Sequence, residues 1–447
     1  MVIMNQMLEP SPVAPTLKQA FWYWLKLGFI SFGGPAGQIA IMHHDLVENK
    51  RWISEKRFLH ALNYCMVLPG PEAQQLATYI GWLMHKTRGG LIAGGLFVLP
   101  SLFILMLLSY IYMRFGDLPS VAGVLYGIKP AVVAIVLFAA YRIGARALKN
   151  KALWAIAAAA FVAITVFKIP FPMIVLTAAL IGYMVNRYQP ALFAGGGGHT
   201  VSQKSYGNAV IDDESPTPHH AKFNLNTLTK FIVAGVTIWI AAMLLLVWLY
   251  GWEATFTQMA WFFTKAALLT FGGAYAVLPY VYQGAVVHYS WLTPAQMMDG
   301  LALGETTPGP LIMVVAFVGF VGGWSHDIAQ NQLLAGIVAA CIVTFFTFLP
   351  SFIFIFVGAP LIESTQNNLK LTAPLTAITA AVVGVIVSLA VFFATHIFWP
   401  NGLAASFDWI ALGAALVAGF VLFKFKPNMI KLIGAFALFG LCHQWLL

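Results

Sequence analysis

Charge is what this chain has least of. Only 9% of its residues are Asp, Glu, Lys or Arg, against about 25% in an ordinary soluble domain, which excludes a water-facing surface over most of its length. Cysteine is almost absent as well. Cys65, Cys341 and Cys442 stand alone in apolar stretches with no CxxC or His-rich spacing, which excludes a disulfide framework, a zinc site or a redox pair and leaves them as packing residues. The first twenty residues have Pro10, Pro12 and Pro15 but no apolar core, so no cleavable signal is expected and the N-terminus is placed in the cytoplasm. Neither a Ser/His/Asp set, an HExxH nor an acidic metal cluster is present, so no enzyme, cofactor or metal is expected. His43, His44, Asp45 and Glu48 read as the polar end of a hairpin rather than as ligands. No nucleic-acid partner is expected either.

What fills the chain is apolar: 60% hydrophobic residues, mean hydropathy +0.82, and runs at 91–113, 121–141, 228–251, 332–357 and 375–398. Such runs are long enough to span hydrocarbon. Residues 21–133 also return at 262–383. Phe32-Gly33-Gly34 recurs as Phe271-Gly272-Gly273, Trp52 as Trp291 and Pro69-Gly70-Pro71 as Pro308-Gly309-Pro310, all offset by 239. After eleven inserted residues, Leu99-Pro100-Ser101 matches Leu349-Pro350-Ser351 at an offset of 250. Landmarks that keep step in this way mark a duplicated unit.

Positive charge orients the copies. Loops 48–57, 85–90 and 142–151 carry four, two and four Lys or Arg, and the matching loops 287–296, 324–331 and 392–409 carry none. By the positive-inside rule the first set is cytoplasmic and the second is not, so the repeats are inverted about an axis in the membrane plane. The expected architecture is an all-α polytopic membrane protein: two inverted-topology repeats with re-entrant half-helix hairpins. A first repeat with a cytoplasmic N-terminus covers 1–187, a flexible cytoplasmic linker 188–227, a connecting transmembrane helix 228–251 and the inverted repeat 252–447.

Chemistry is expected where helices break. Apolar arms of about 14 residues, too short to cross alone, meet at Ser31-Phe32-Gly33-Gly34-Pro35 and again at Pro69-Gly70-Pro71. The 58–85 segment enters and leaves by one face, so its tip lies near the bilayer middle, where backbone must be buried in protein or line a watery cavity. A half-helix starting at such a tip offers unpaired amides and a partial positive charge, and glycine admits an oxyanion to the main chain. Up to four helix ends, near Gly34, Gly70, Gly273 and Gly309, are therefore expected around one site, with Gly33 and Gly272 beside them. Small residues that merely ease helix packing are the competing reading.

Polar residues in the arms fill out the expected site. Lys26 recurs as Lys265, each a candidate cation or an interfacial snorkeler, and Lys129 lies inside the 121–141 span. Ser31 and Thr270 are equivalent hydroxyls, and Asn63, Gln74, Gln75, Thr306 and Thr307 are further polar candidates. Glu72 follows one tip and Glu305 precedes the other, so each is a candidate to carry a coupling proton or to neutralise a helix end. Donors and cations outnumber carboxylates, which points to an anionic substrate.

The FGGP and PGP motifs with their second-half echoes, in two homologous halves, resemble the chromate ion transporter family in its long, two-domain form. The resemblance covers nearly all of the chain outside the linker, and Ala274 stands where the first copy has Pro35. It implies export of chromate across a bacterial inner membrane to give chromate resistance, with sulfate as the isosteric competitor. Surrounding lipid and a second copy, in a homodimer, are the other partners considered. A sulfate-like anion uptake permease or channel is the alternative, and a membrane enzyme acting on an anionic head group is a third reading.

Overall fold

The computed structural model describes residues 12–188, 206–213, 215–216, 218–326, 331–364, 372–400, 402, 406–425 and 427–446. They form sixteen α-helices and no named strand among the described residues. The first copy runs α1 (Leu17–Ile30), α2 (Gly34–His43), α3 (Glu55–Cys65), α4 (Glu72–Phe115), α5 (Pro119–Ala147), α6 (Lys151–Thr165) and α7 (Phe171–Tyr188). After α8 (Leu225–Tyr250), the second runs α9 (Thr255–Leu268), α10 (Ala274–Tyr282), α11 (Pro294–Thr306), α12 (Val314–Ser325), α13 (Gln332–Ser364), α14 (Thr372–Phe398), α15 (Trp409–Phe425) and α16 (Met429–Leu446). The apparent mismatch of one helix vanishes at His85 and Lys86, where α4 leaves helical geometry with a Lys86 φ of 57°. Its two arms fold back on each other there, as a Cβ on Gly81 would stand 2.5 Å from the Gly89 carbonyl. The upper arm then corresponds to α12 and the lower to α13. Among the described residues, seven helices are long and apolar enough to cross a bilayer, as a multi-pass membrane protein requires.

The copies embrace each other by exchange. Helix α5 packs on α15 and α16 of the other copy, α14 packs on α6 and α7, and α5 and α14 pack together. Small residues make both crossings close. A Cβ on Gly127 of α5 would lie 2.1 Å from the Phe436 carbonyl, and one on Gly182 of α7 would lie 2.8 Å from both the Ala373 carbonyl and the Ala377 Cβ of α14. Contacts that recur with the copies swapped are the mark of a two-fold relation.

Residues 206–213, 215–216 and 218–223, expected within a flexible tether, lie against the first copy and α13 instead. The Ser54 amide donates to the Ile211 carbonyl (3.0 Å), Arg57 Nη2 to the Ser215 carbonyl (2.7 Å), and His220 Nε2 meets the Trp82 carbonyl (2.9 Å). Burial of Ala209, Ile211 and Ala221 offsets the ordering cost that a polar composition alone would not repay. Residues 189–205 of the same stretch fall outside the described residues. Of the cysteines only Cys65 is buried; Cys341 and Cys442 lie on exposed faces, where an apolar side chain meets lipid at no cost.

Candidate functional site

Four breaks in the helices define the centre, and glycine makes each of them possible. Gly33, Gly34, Gly70, Gly272, Gly273 and Gly309 all have φ between +70° and +127°, a region closed to most side chains. Helices α2, α4 and α10 begin at these breaks, after Gly33, Pro71 and Gly273, and none takes a side-chain cap. Several helices that begin elsewhere are capped, by Thr16, Ser54, Asn150, Asn224 and Thr293. Leaving the first amides of a helix without a cap inside a membrane protein is costly unless another group takes them. Helix α10 starts at Ala274 as its counterpart starts at Gly34, so the lost proline does not remove that end. The fourth end differs: a single 3₁₀ turn, Leu311–Met313, separates Pro310 from α12.

The breaks are stitched across the copies by two equivalent hydrogen bonds. The Gly70 amide donates to the Thr270 carbonyl (2.7 Å), and the Gly309 amide donates to the Ser31 carbonyl (2.8 Å). The amides of Gly70 and Gly309, expected among the anion's donors, are thus engaged by protein, which corrects that part of the expectation. Crowding agrees: a Cβ on Gly70 would meet Ser351 Oγ and Gln75 Nε2 at 2.5 Å, and one on Gly309 would meet the Ser101 Cβ at 2.9 Å. Space lies beside the other pairs. Nothing stands within 4 Å of a Cβ on Gly34 or Gly273, and at Gly272 the nearest atom is Thr379 Oγ1 at 3.7 Å.

The remaining candidates divide by what they touch. Ser31 Oγ is buried with no hydrogen-bond partner and remains available to a ligand. Thr270, Thr306 and Thr307 donate their hydroxyls to their own helices, at the carbonyls of Ala266, Leu303 and Gly304. Gln74 bonds Thr78, and Gln75 donates to the Pro69 carbonyl (2.8 Å), so both brace the α4 tip. Asn63 is half-buried on α3 near that tip. Glu305 accepts from the Tyr275 hydroxyl. Glu72, the first residue of α4, lies close enough to Arg146 for their charges to interact, as Tyr275 does to Arg142.

Two lysines are not brought to the centre. Lys26 is exposed on the same face as Trp22 and Phe29, opposite the packed face of α1, and Lys265 Nζ lies 5.3 Å over the Trp261 ring. Both fit snorkelling or ring-stacked cations. Lys129 does turn inward, but it is not alone: its Nζ is 3.3 Å from Asp299 Oδ1, a carboxylate the sequence reading passed over. A lone cation and a lone acid, each inside an apolar segment of a different copy, were the available signal for this pair.

The copies also differ. Helix α10 is buried at Ala274 and from Ala276 to Val281 and packs on α14, whereas α2 buries only Gln38 and Met42 and does not pack along α5. Two exchanged half-bundles with broken helices meeting between them are the architecture of a polytopic membrane transporter.

The chain belongs to the chromate transporter family. The profile described as Chromate transporter matches residues 18–183 and 257–441, one stretch for each copy. A chromate transport protein of Pseudomonas aeruginosa is 34% identical over 382 residues, covering 85% of this chain and 81% of the relative. A chromate transport protein of Cupriavidus metallidurans is 30% identical over 380 residues, covering 85% and 83%. The uncharacterized transporter YwrA of Bacillus subtilis is 29% identical over 163 residues, which are 36% of this chain but 91% of that protein, about the size of one copy. No solved structure matches.

Proposed function

We propose that this chain exports chromate across the bacterial inner membrane, drawing on the membrane potential, the proton gradient or both. The observation that carries the reading is the set of uncapped helix starts at Gly34, Glu72 and Ala274, with open space beside the glycines of the first and the last. Amides at these ends, with the Ser31 hydroxyl and Lys129, suit a tetrahedral dianion, and the names of the relatives support chromate as that dianion. In this reading Gly33, Gly34, Gly272 and Gly273 admit the ion, while Gly70 and Gly309 hold the tips in register. Lys26 and Lys265 serve the interface. Glu72 and Glu305 set the charge of the helix ends they adjoin. Transport rather than catalysis fits both the relatives and the exchanged repeats.

Voltage favours export. A dianion leaving a negative interior gains roughly 4.6 kcal/mol per 100 mV. Cells expressing the chain are expected to accumulate less chromate and tolerate more of it, with excess sulfate blunting the effect because both ions are tetrahedral dianions. Chromate content measured by elemental analysis checks this. Unchanged chromate together with raised sulfate uptake would replace the proposal with a sulfate permease.

A further inference from the structure

We propose that Asp299 is the residue through which a proton travels with the substrate, as the exchangeable partner of Lys129. The inference rests on the chromate reading above and adds to it a specific coupling group. Lys129 comes from α5 of the first copy, Asp299 from α11 of the second, and Tyr112 from α4 closes the cluster by donating its hydroxyl to Asp299 Oδ2 at 3.0 Å. Oδ1 faces Lys129 at 3.3 Å and makes no hydrogen bond of its own. The acid is sealed, its side chain 4% exposed, whereas the lysine is 27% exposed, so it is the ammonium that an arriving ion can reach. Thr379, which occupies the position of Lys129 in the other copy, lies against the break at Gly272.

The charge count then decides the chemistry. Empty, the pair is neutral. A dianion that takes the ammonium from Asp299 leaves a buried carboxylate beside two new negative charges, and an uncompensated buried charge is strongly unfavourable. One proton from the side of binding, taken on Oδ1 as Lys129 lets it go, brings the loaded cluster to a net charge of minus one instead of minus two. On the far side the dianion leaves, the proton follows, and Lys129 returns to Oδ1. With its proton the ion carries one net negative charge outward, so the membrane potential drives export at roughly 2.3 kcal/mol per 100 mV and an inward proton gradient opposes it. Several other titratable groups on elements packed against α11 are engaged elsewhere. Tyr126 of α5 donates to Asp408, and His443 of α16 stacks on Tyr126 at 5.1 Å. On α14, His396 bonds the Phe392 carbonyl, and His326 beyond α12 bonds that of Gly322. Asp117, beyond the end of α4, is near Tyr112 rather than Asp299. Glu305 is held by Tyr275, and the charge that reaches Glu72 is that of Arg146, so neither is paired with a lysine that substrate would take.

The test uses the full chain in proteoliposomes loaded with isotopic chromate, with voltage clamped at zero by potassium and valinomycin. One proton per dianion holds an about tenfold chromate gradient per pH unit, towards the less acidic side. Wild type and Asp299→Glu are expected to show it. Asp299→Asn, which mimics the loaded, protonated state, is expected to keep chromate exchange at equal concentrations and to hold no gradient. A wild type that moves chromate on voltage but holds no gradient on pH overturns the inference, as does a tenfold gradient in Asp299→Asn. Should Asp299→Asn not fold, Asp299→Ser, which likewise cannot carry the proton, has the same expected result. A wild type that moves no chromate under any gradient fails the function proposed above instead.

Discussion

Gly34→Leu is expected to bring chromate flux to background while the protein still inserts and folds. At Gly34 the backbone has φ +70°, so any L side chain carries a conformational cost, about 1–2 kcal/mol for the left-handed region. That cost is small beside what seven spanning helices bury. The space beside the residue is what matters. No atom lies within 4 Å of a Cβ there, so a side chain can start without collision, and a leucine fills the room through which an oxyanion would reach the amides of α2. Gly34→Ala separates the two causes, because it bears the same backbone cost and fills little of the space. Transport assays should find alanine far less damaging than leucine; equal losses would assign the defect to backbone strain and remove Gly34 from the ion's path.

Gly70→Leu is expected to fail differently, by loss of folded protein. Its φ is +127°, and a Cβ there would stand 2.5 Å from both Gln75 Nε2 and Ser351 Oγ. Overpacking of this kind costs about 1–3 kcal/mol, added to a conformation that L residues rarely adopt. The larger consequence is that the Gly70 amide bonds the Thr270 carbonyl, so displacing the α4 tip breaks a stitch between the copies. Thermal unfolding in detergent should show a marked drop for Gly70→Leu and, through Ser101, for Gly309→Leu. In the Gly70→Ala background, Ser351→Ala should recover part of the loss by removing one of the two close atoms. Normal stability in Gly70→Leu would mean that the tips are not locked to each other.

These two glycines show where the sequence is legible. Their repetition at one offset, and the lysines and arginines gathered in one set of loops, were enough to read a duplicated helical membrane protein, because both signals are periodic or compositional. The breaks at 31–34 and 69–71 followed from arms too short to span. What could not be read was which glycine amides remain free. Gly34 and Gly70 look alike in sequence, and only the contact of Gly70 with Thr270, two hundred residues away in the chain, distinguishes a ligand-facing amide from one engaged by protein. Lys129 and Asp299 were each visible as an isolated charge, but their pairing depends on the exchange of α5 between copies, which no local pattern encodes. The docking of the described residues between 206 and 223 was hidden for a related reason. Their polar composition suggests a tether, while a few apolar side chains, Ile211 and Ala221 among them, are buried against the first copy and α13.

Isotopic chromate flux through the purified chain in proteoliposomes, with voltage and pH gradient imposed separately, tests the central claim most directly. Saturable chromate flux that follows the imposed voltage towards the positive side, is competed by sulfate and is lost in Gly34→Leu, is the predicted result. Flux no greater than in empty liposomes under every gradient, with the protein shown to be folded and inserted, would contradict it.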